Sequence, residues 1–103
     1  MYLVQILLPL YDNEGHEFEV REYVQLRGEL ADRFGGVTAY TRAPARGVWR
    51  KDVAGETTRD DIVIFEVMID TLDRAWWTEF RHTLERRFRQ ESLIVRALDS
   101  TLI

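Results

Sequence analysis

Two short segments of the chain are apolar at nearly every position, and they restrict the fold more than any other feature. They are YLVQILL at residues 2–8 and IVIFEVMI at residues 62–69. Successive side chains of a strand point to opposite faces of a sheet, so a strand that is apolar on both faces is buried on both. The second segment is also rich in β-branched residues, which favour strands. The sequence therefore predicts two central strands.

An amphipathic helix is predicted after each of these strands. Gly35 and Gly36 end the first helix, since glycine readily takes the positive φ of a helix C-terminus. Asp70, with Asp73 three residues later, is predicted to cap the second helix, which ends near Gln90. The apolar stripe of the first helix is predicted to contain Val20, Tyr23, Val24, Leu30, Ala31 and Phe34, and that of the second Trp77, Phe80, Leu84 and Phe88.

Two further strands complete the pattern. One runs from residue 37 towards Trp49 with a break at Ala43-Pro44, and the last covers residues 92–98. The order strand, helix, strand, strand, helix, strand predicts an α+β fold of ferredoxin-like βαββαβ plan, with a four-stranded antiparallel sheet and both helices on one face. The second strand then lies at a sheet edge, where Pro44 is tolerated. The 103 residues are predicted to form a single domain, 1–103.

Composition excludes several classes of function. The net charge is −4, with acidic residues concentrated between residues 12 and 22, which argues against a nucleic-acid surface. The apolar run at the N-terminus is too short to span a membrane, which takes about 20 residues. There is no cysteine, and the two histidines lie in different elements, so no metal or other cofactor is expected. We predict a cytoplasmic protein.

The parity of the strands divides the sheet into two faces. One face collects only apolar side chains and is predicted to lie beneath the helices. The opposite face carries Leu3, Leu7, Ile64, Met68, Ile94 and Leu98, among others, around a few polar groups. An apolar patch of that size exceeds what a monomer usually exposes. A second copy packed sheet to sheet, in a homodimer, is the expected cover.

In this respect the chain resembles the dimeric α+β-barrel superfamily, in which two ferredoxin-like sheets pair. The strings GGVTAYTRAPARGVWRK, TTRDDIVIFEVMI and FRQESLIVRA are also similar to small bacterial proteins of about 100 residues with this plan. The resemblance implies a fold and a homodimer, with a ligand cavity beside the barrel, but no particular reaction. The superfamily's cofactor-free oxygenases and haem degraders rely on Asn, Trp and His positions that Asn13 and His82 do not match.

A polar row is predicted to cross the second face. If the first strand lies between the third and fourth, Gln5 falls between Glu66 and Arg96, and the row continues to Tyr40 or Arg42 on the second strand. A buried carboxylate requires a partner. One interpretation is a catalytic site in which Glu66 is a general base and arginines hold an anionic substrate. The other is a structural polar network at the dimer interface.

Two loops supply further candidates. His16, beside Tyr11 and Asp12, is a candidate general acid or base at the mouth of a cavity, or else a solvated loop residue. Around Pro44, Arg42, Arg46 and Arg50 with Trp49 are candidates for gripping a carboxylate attached to a ring or chain. The alternative is that these arginines pair with the hairpin acids Asp52, Glu56, Asp60 and Asp61.

The functional hypothesis is therefore a homodimer that binds or transforms a small organic anion without a cofactor. Its catalytic candidates are Glu66 and His16, and its ligand-binding candidates are Gln5, Tyr40, Arg42, Arg46, Trp49, Arg50 and Arg96. The alternative is a non-catalytic ligand-binding or protein-interaction module whose polar row is purely structural. No partner other than itself, no nucleic acid and no membrane is expected.

Overall fold

The computed structural model describes residues 1–42 and 61–103, except for the side chains of Thr41 and Arg42. The elements in chain order are β1 (Tyr2–Pro9), α1 (Val20–Phe34), β2 (Thr38–Arg42), β3 (Ile62–Ile69), α2 (Arg74–Arg87) and β4 (Ile94–Asp99). The four strands form one sheet in the order β2-β3-β1-β4. Every neighbouring pair is antiparallel, so the predicted ferredoxin-like α+β fold is confirmed.

The core lies between the helices and one face of the sheet. Alternate residues of the two central strands fill it, and Val4, Ile6, Leu8, Phe65 and Val67 are all at most 2% exposed. Phe88 and Tyr23 add an aromatic layer, with ring centroids 5.7 Å apart. The apolar parity predicted for the first and third strands is therefore the one that packs against the helices.

Helix α1 buries Leu30 and packs Tyr23 and Phe34 against the core as predicted, but it is rotated relative to the predicted stripe. Leu26 and Leu30 are its buried residues, whereas Val20 is 74% exposed and Val24 is 48% exposed. The larger side chains decide the rotation of the helix. Tyr23 stacks on Phe65 and donates a 2.8 Å hydrogen bond to the carbonyl of Pro9, which draws Leu26 rather than Val24 into the core.

The ends of α2 also differ from the prediction. Asp73, not Asp70, is the N-cap, and its side chain accepts a 3.1 Å hydrogen bond from the backbone N–H of Trp76. The helix ends at Arg87, and β4 starts at Ile94 rather than at residue 92. The N–H of Leu93 donates instead to the carboxylate of Glu85, at 3.0 Å, which ties the start of the last strand to α2.

Candidate functional site

A row of hydrogen-bonded side chains crosses the face of the sheet that is opposite the helices. Gln5, at the centre of β1, is directly opposite Glu66 of β3 on one side and Arg96 of β4 on the other. Its amide Nε2 donates to Glu66 Oε2 at 2.7 Å, and its Oε1 accepts from Arg96 Nε at 2.7 Å. The expected neighbours Arg96, Gln5 and Glu66 are thus in contact.

Tyr40 extends this row onto β2. Thr38 is the residue directly opposite Glu66, so Tyr40 reaches the carboxylate along the diagonal of the β2–β3 pair. The Tyr40 hydroxyl donates to Glu66 Oε2 at 3.0 Å. Glu66, which is half-buried, therefore accepts two hydrogen bonds on one oxygen. We use "the polar row" below for Arg96, Gln5, Glu66 and Tyr40.

Apolar side chains surround the polar row, and several are open to solvent. Ile94 is 55% exposed, Leu98 44%, Tyr40 42% and Met68 37%. These residues share the face predicted to require a cover, which we call the open face. The part of the open face at the centre of β3 is not accessible to solvent, because Ile64 is only 3% exposed. Most of the open face thus combines exposed aliphatic groups with one acidic and one basic side chain.

His16 has no contact with the polar row in the described part of the chain. Its side chain is 74% exposed and lies 3.7 Å from Asp12 Oδ2 and 3.9 Å from Glu14 Oε1. It follows β1 in a loop, whereas Glu66 and Gln5 occupy the middle of their strands. The two predicted catalytic residues, Glu66 and His16, are therefore not joined in one hydrogen-bonded site.

The loop that carries His16 is organised by the carboxylate of Asp12. Asp12 Oδ1 accepts from the backbone N–H of Glu14 at 2.8 Å and of His16 at 2.9 Å. The bond from His16 is the main cause that lowers the pKa of Asp12. Gly15 completes the turn with φ of 87°, which an L side chain rarely adopts. The carboxylate therefore holds the backbone here, a structural task distinct from acid–base chemistry.

The arginine-rich candidates cannot be placed on this surface. Arg42 is the last residue of β2, opposite Ile62, but its side chain lies outside the described residues. Arg46, Trp49 and Arg50 also lie outside them, as does the break expected at Ala43-Pro44. The proposed grip on a carboxylate therefore stays a prediction.

Two clefts that the sequence did not predict open on the helix side of the sheet. One, of about 160 Å³, lies between α2 and β4 and is bordered by Arg74, Arg81 and Ala97. The other, of about 300 Å³, lies between α1 and the β2–β3 pair and is bordered by Val24 and Ala39. Each cleft is bordered by an alanine of the sheet, Ala97 in the first and Ala39 in the second, whose small side chain leaves space beneath the helix. The helical spacing of Arg74, Thr78 and Arg81 was the available sequence signal for the first cleft.

Within residues 1–42 and 61–103, no three His, Asp or Glu side chains form a group that could hold a metal ion. In the same ranges, no helix combines the length and the apolar character needed to cross a membrane. Comparison with protein-family models, curated proteins and solved structures finds no match to this chain. The assignment of candidate sites therefore rests on the geometry of the chain alone.

Proposed function

We propose that the protein is a homodimer that binds a small organic anion without a cofactor. In the dimer, the open faces of two sheets pack against each other, as in the dimeric α+β-barrel superfamily. The exposed Ile94, Leu98, Tyr40 and Met68 support this arrangement. Monomeric proteins rarely expose large apolar patches, and such patches usually mark a surface that binds another molecule. The absence of cysteine is compatible with a cytoplasmic location.

The charge pattern of the polar row favours a second copy as the cover, and this observation carries the proposal. Arg96 and Glu66 lie on opposite sides of Gln5. A two-fold axis running along β1 between the stacked sheets places each β4 opposite the partner's β3. Arg96 then faces the partner subunit's Glu66. Packed sheets lie about 10 Å apart, a gap that an arginine and a glutamate together can span.

In this arrangement the polar row is part of the dimer interface. The second candidate function is catalysis by the polar row. One observation favours catalysis: Glu66 Oε1 accepts no hydrogen bond in the described part of the chain, so it is available as a base. Glu66→Gln retains the size of the side chain and removes the base. Under our proposal it weakens the dimer and leaves the binding of the organic anion unchanged. Under the catalytic alternative it abolishes turnover in a dimer that persists.

Light scattering coupled to size-exclusion chromatography tests the dimer. We expect about twice the chain mass of 12.2 kDa at micromolar concentration. Ile94→Asp introduces a charge into the exposed part of the open face and should yield monomers that stay folded. Val20→Asp is the matched control, because Val20 is also an exposed aliphatic residue but lies on α1. A monomeric wild-type protein, or equal effects of the two substitutions, would overturn the proposal.

A further inference from the structure

The cleft between α2 and β4 extends from the surface down to the core. Its floor includes Val4, 1% exposed, and Trp77, 6% exposed. Ala97 lies directly opposite Val4 in the β1–β4 pair, on the face of the sheet that the helices cover. Because alanine is small, the space that a larger residue would fill between β4 and α2 stays open. The cleft is thus a gap in the packing with an apolar floor.

The rim of this cleft is basic. Arg74, Thr78 and Arg81 follow one another at helical spacing along α2, whereas the side chain of Arg96 on β4 is bonded to Gln5 on the opposite face. None of the described residues that line it is acidic. Arg81 is held in place by a 3.0 Å ion pair with Glu85. Side chains of α2 therefore bring positive charge to the mouth of an apolar space.

The position of Arg74 is unfavourable for the stability of α2. It is the first residue of the helix, and a positive charge there opposes the helix dipole. The first turn contains no acidic residue, and within the described residues Arg74 has no hydrogen bond or ion pair. Its charge is thus available to a ligand in the cleft that it borders.

We propose that this cleft binds a small monocarboxylate whose body is compact and apolar, such as a single ring or a short branched chain. The ring or chain occupies the space above Val4 and Ala97, and the carboxylate faces Arg74, with Thr78 and Arg81 beside it. A cavity of about 150 Å³ is known to hold benzene, so a space of about 160 Å³ suits one ring. This inference rests on the proposed binding of an organic anion and assigns its site and class.

Benzoate is a suitable probe, with benzyl alcohol and benzylamine as neutral and cationic analogues. The readout is the two-dimensional ¹H–¹⁵N spectrum of the protein during titration. We expect benzoate to shift the Trp77 indole and the Val95 amide saturably, with a dissociation constant on the order of 1 mM. Benzyl alcohol should bind at least about tenfold more weakly, and benzylamine should cause no saturable shift at these signals.

Two pairs of variants locate the site. Arg74→Ala should weaken benzoate binding about tenfold, whereas Arg86→Ala, which removes an exposed arginine elsewhere on α2, should not. Ala97→Leu fills the cleft and should abolish the shifts of Trp77 and Val95. Ala75→Leu, on an exposed position of α2, should leave them unchanged. Arg74→Ala does not remove a helix-stabilising charge, so its effect does not depend on unfolding.

The outcomes separate this inference from the proposed function. Saturable shifts at the Gln5 side-chain amide, with none at Trp77, would retain an organic-anion-binding protein and overturn the α2–β4 site. No saturable shift anywhere would overturn both. If Arg74→Ala and Arg86→Ala weaken benzoate binding equally, the effect comes from the net charge of the protein and not from a contact with Arg74. That result would also overturn the site. The mass measured by light scattering reports on the dimer independently of either result.

Discussion

Gln5 donates to Glu66 and accepts from Arg96, each at 2.7 Å, so the orientation of its amide is set by a negative group on one side and a positive group on the other. A rotated amide would point its NH₂ group at the guanidinium and its oxygen at the carboxylate. Both contacts would then be repulsive. The side chain in the middle of β1 therefore links three strands in one defined direction.

Removal of this link should destabilise the fold. Among the described residues, Gln5→Ala leaves Tyr40 as the one hydrogen-bond donor to the half-buried carboxylate of Glu66. We therefore expect the free energy of unfolding to fall by about 1–2 kcal/mol. Gln25→Ala is the control, because Gln25 also donates to a glutamate, Glu29, but from an exposed position on α1. That change should stay within about 0.5 kcal/mol. Urea unfolding of both variants provides the comparison.

Exchange of charges across the proposed interface should show compensation. Arg96→Glu places two acidic groups opposite each other in the dimer and should raise its dissociation constant at least about tenfold. Adding Glu66→Arg restores opposite charges and should recover most of the loss. Sedimentation equilibrium of the single and double variants measures both steps. A single variant that dimerises as well as the wild type would contradict the predicted facing of Arg96 and the partner's Glu66.

Two glycines of α1 should respond to alanine in opposite directions. Gly28 lies inside the helix, and an added Cβ would meet no atom within 4 Å, so Gly28→Ala should stabilise by about 0.5–1 kcal/mol. Gly35 is the C-cap with φ of 85°, and Gly35→Ala should destabilise by about 1 kcal/mol. Thermal unfolding of the two variants should therefore shift the midpoint to opposite sides of the wild-type value.

Alkaline pH should weaken the fold through Tyr23. Burial is the main cause that raises its pKa from 10.0 to about 12, with Glu17 and Glu22 adding to the effect. The folded state keeps the phenol protonated where the unfolded state has lost the proton. The stability is therefore fully present below pH 10 and is lost as the pH rises through 12. Tyr23→Phe should remove this dependence and, through the lost bond to Pro9, about 1 kcal/mol at neutral pH.

Acidic pH should weaken the fold through Asp12 and Glu85. Backbone N–H donors, His16 for Asp12 and Leu93 for Glu85, are the main causes that lower these two pKa values. A carboxylate with a depressed pKa stabilises the fold above its unfolded pKa, and this stabilisation is lost as the pH falls through the folded value. Asp12→Asn and Glu85→Gln should each flatten the loss of stability below about pH 4.

The polar row could be predicted from the sequence because strand parity and sheet order together determine which side chains are neighbours. Once β1 is placed between β3 and β4, Gln5 has to lie beside Glu66 and Arg96 on the same face. No knowledge of side-chain rotamers is needed for that step. The prediction for α1 was right for Leu30 and Phe34 and wrong only at its border, where Val24 was chosen instead of Leu26 because both are apolar. The Tyr23 ring, stacked on Phe65, holds the helix in the rotation that buries Leu26.

The α2–β4 cleft could not be predicted in the same way, because it depends on what is missing from the packing. Ala97 is an ordinary apolar residue of the helix-covered face in the sequence pattern. Whether a small side chain leaves a gap depends on how closely α2 approaches β4 above it. That distance is a property of the tertiary packing of α2, whose buried residues are Trp77 and Leu84, and no local sequence pattern gives it.

Strand β4 is the terminal strand of the sheet next to β1, so its outer backbone edge has no neighbour within the described residues. An uncovered edge bearing exposed Ile94 and Leu98 is a template for stacking of identical chains into fibrils. Arg96 lies between these two residues. Stacking in register would bring the guanidinium groups of successive chains to about 4.8 Å, where like charges repel. The positive charge of Arg96 therefore opposes in-register stacking of chains along this edge.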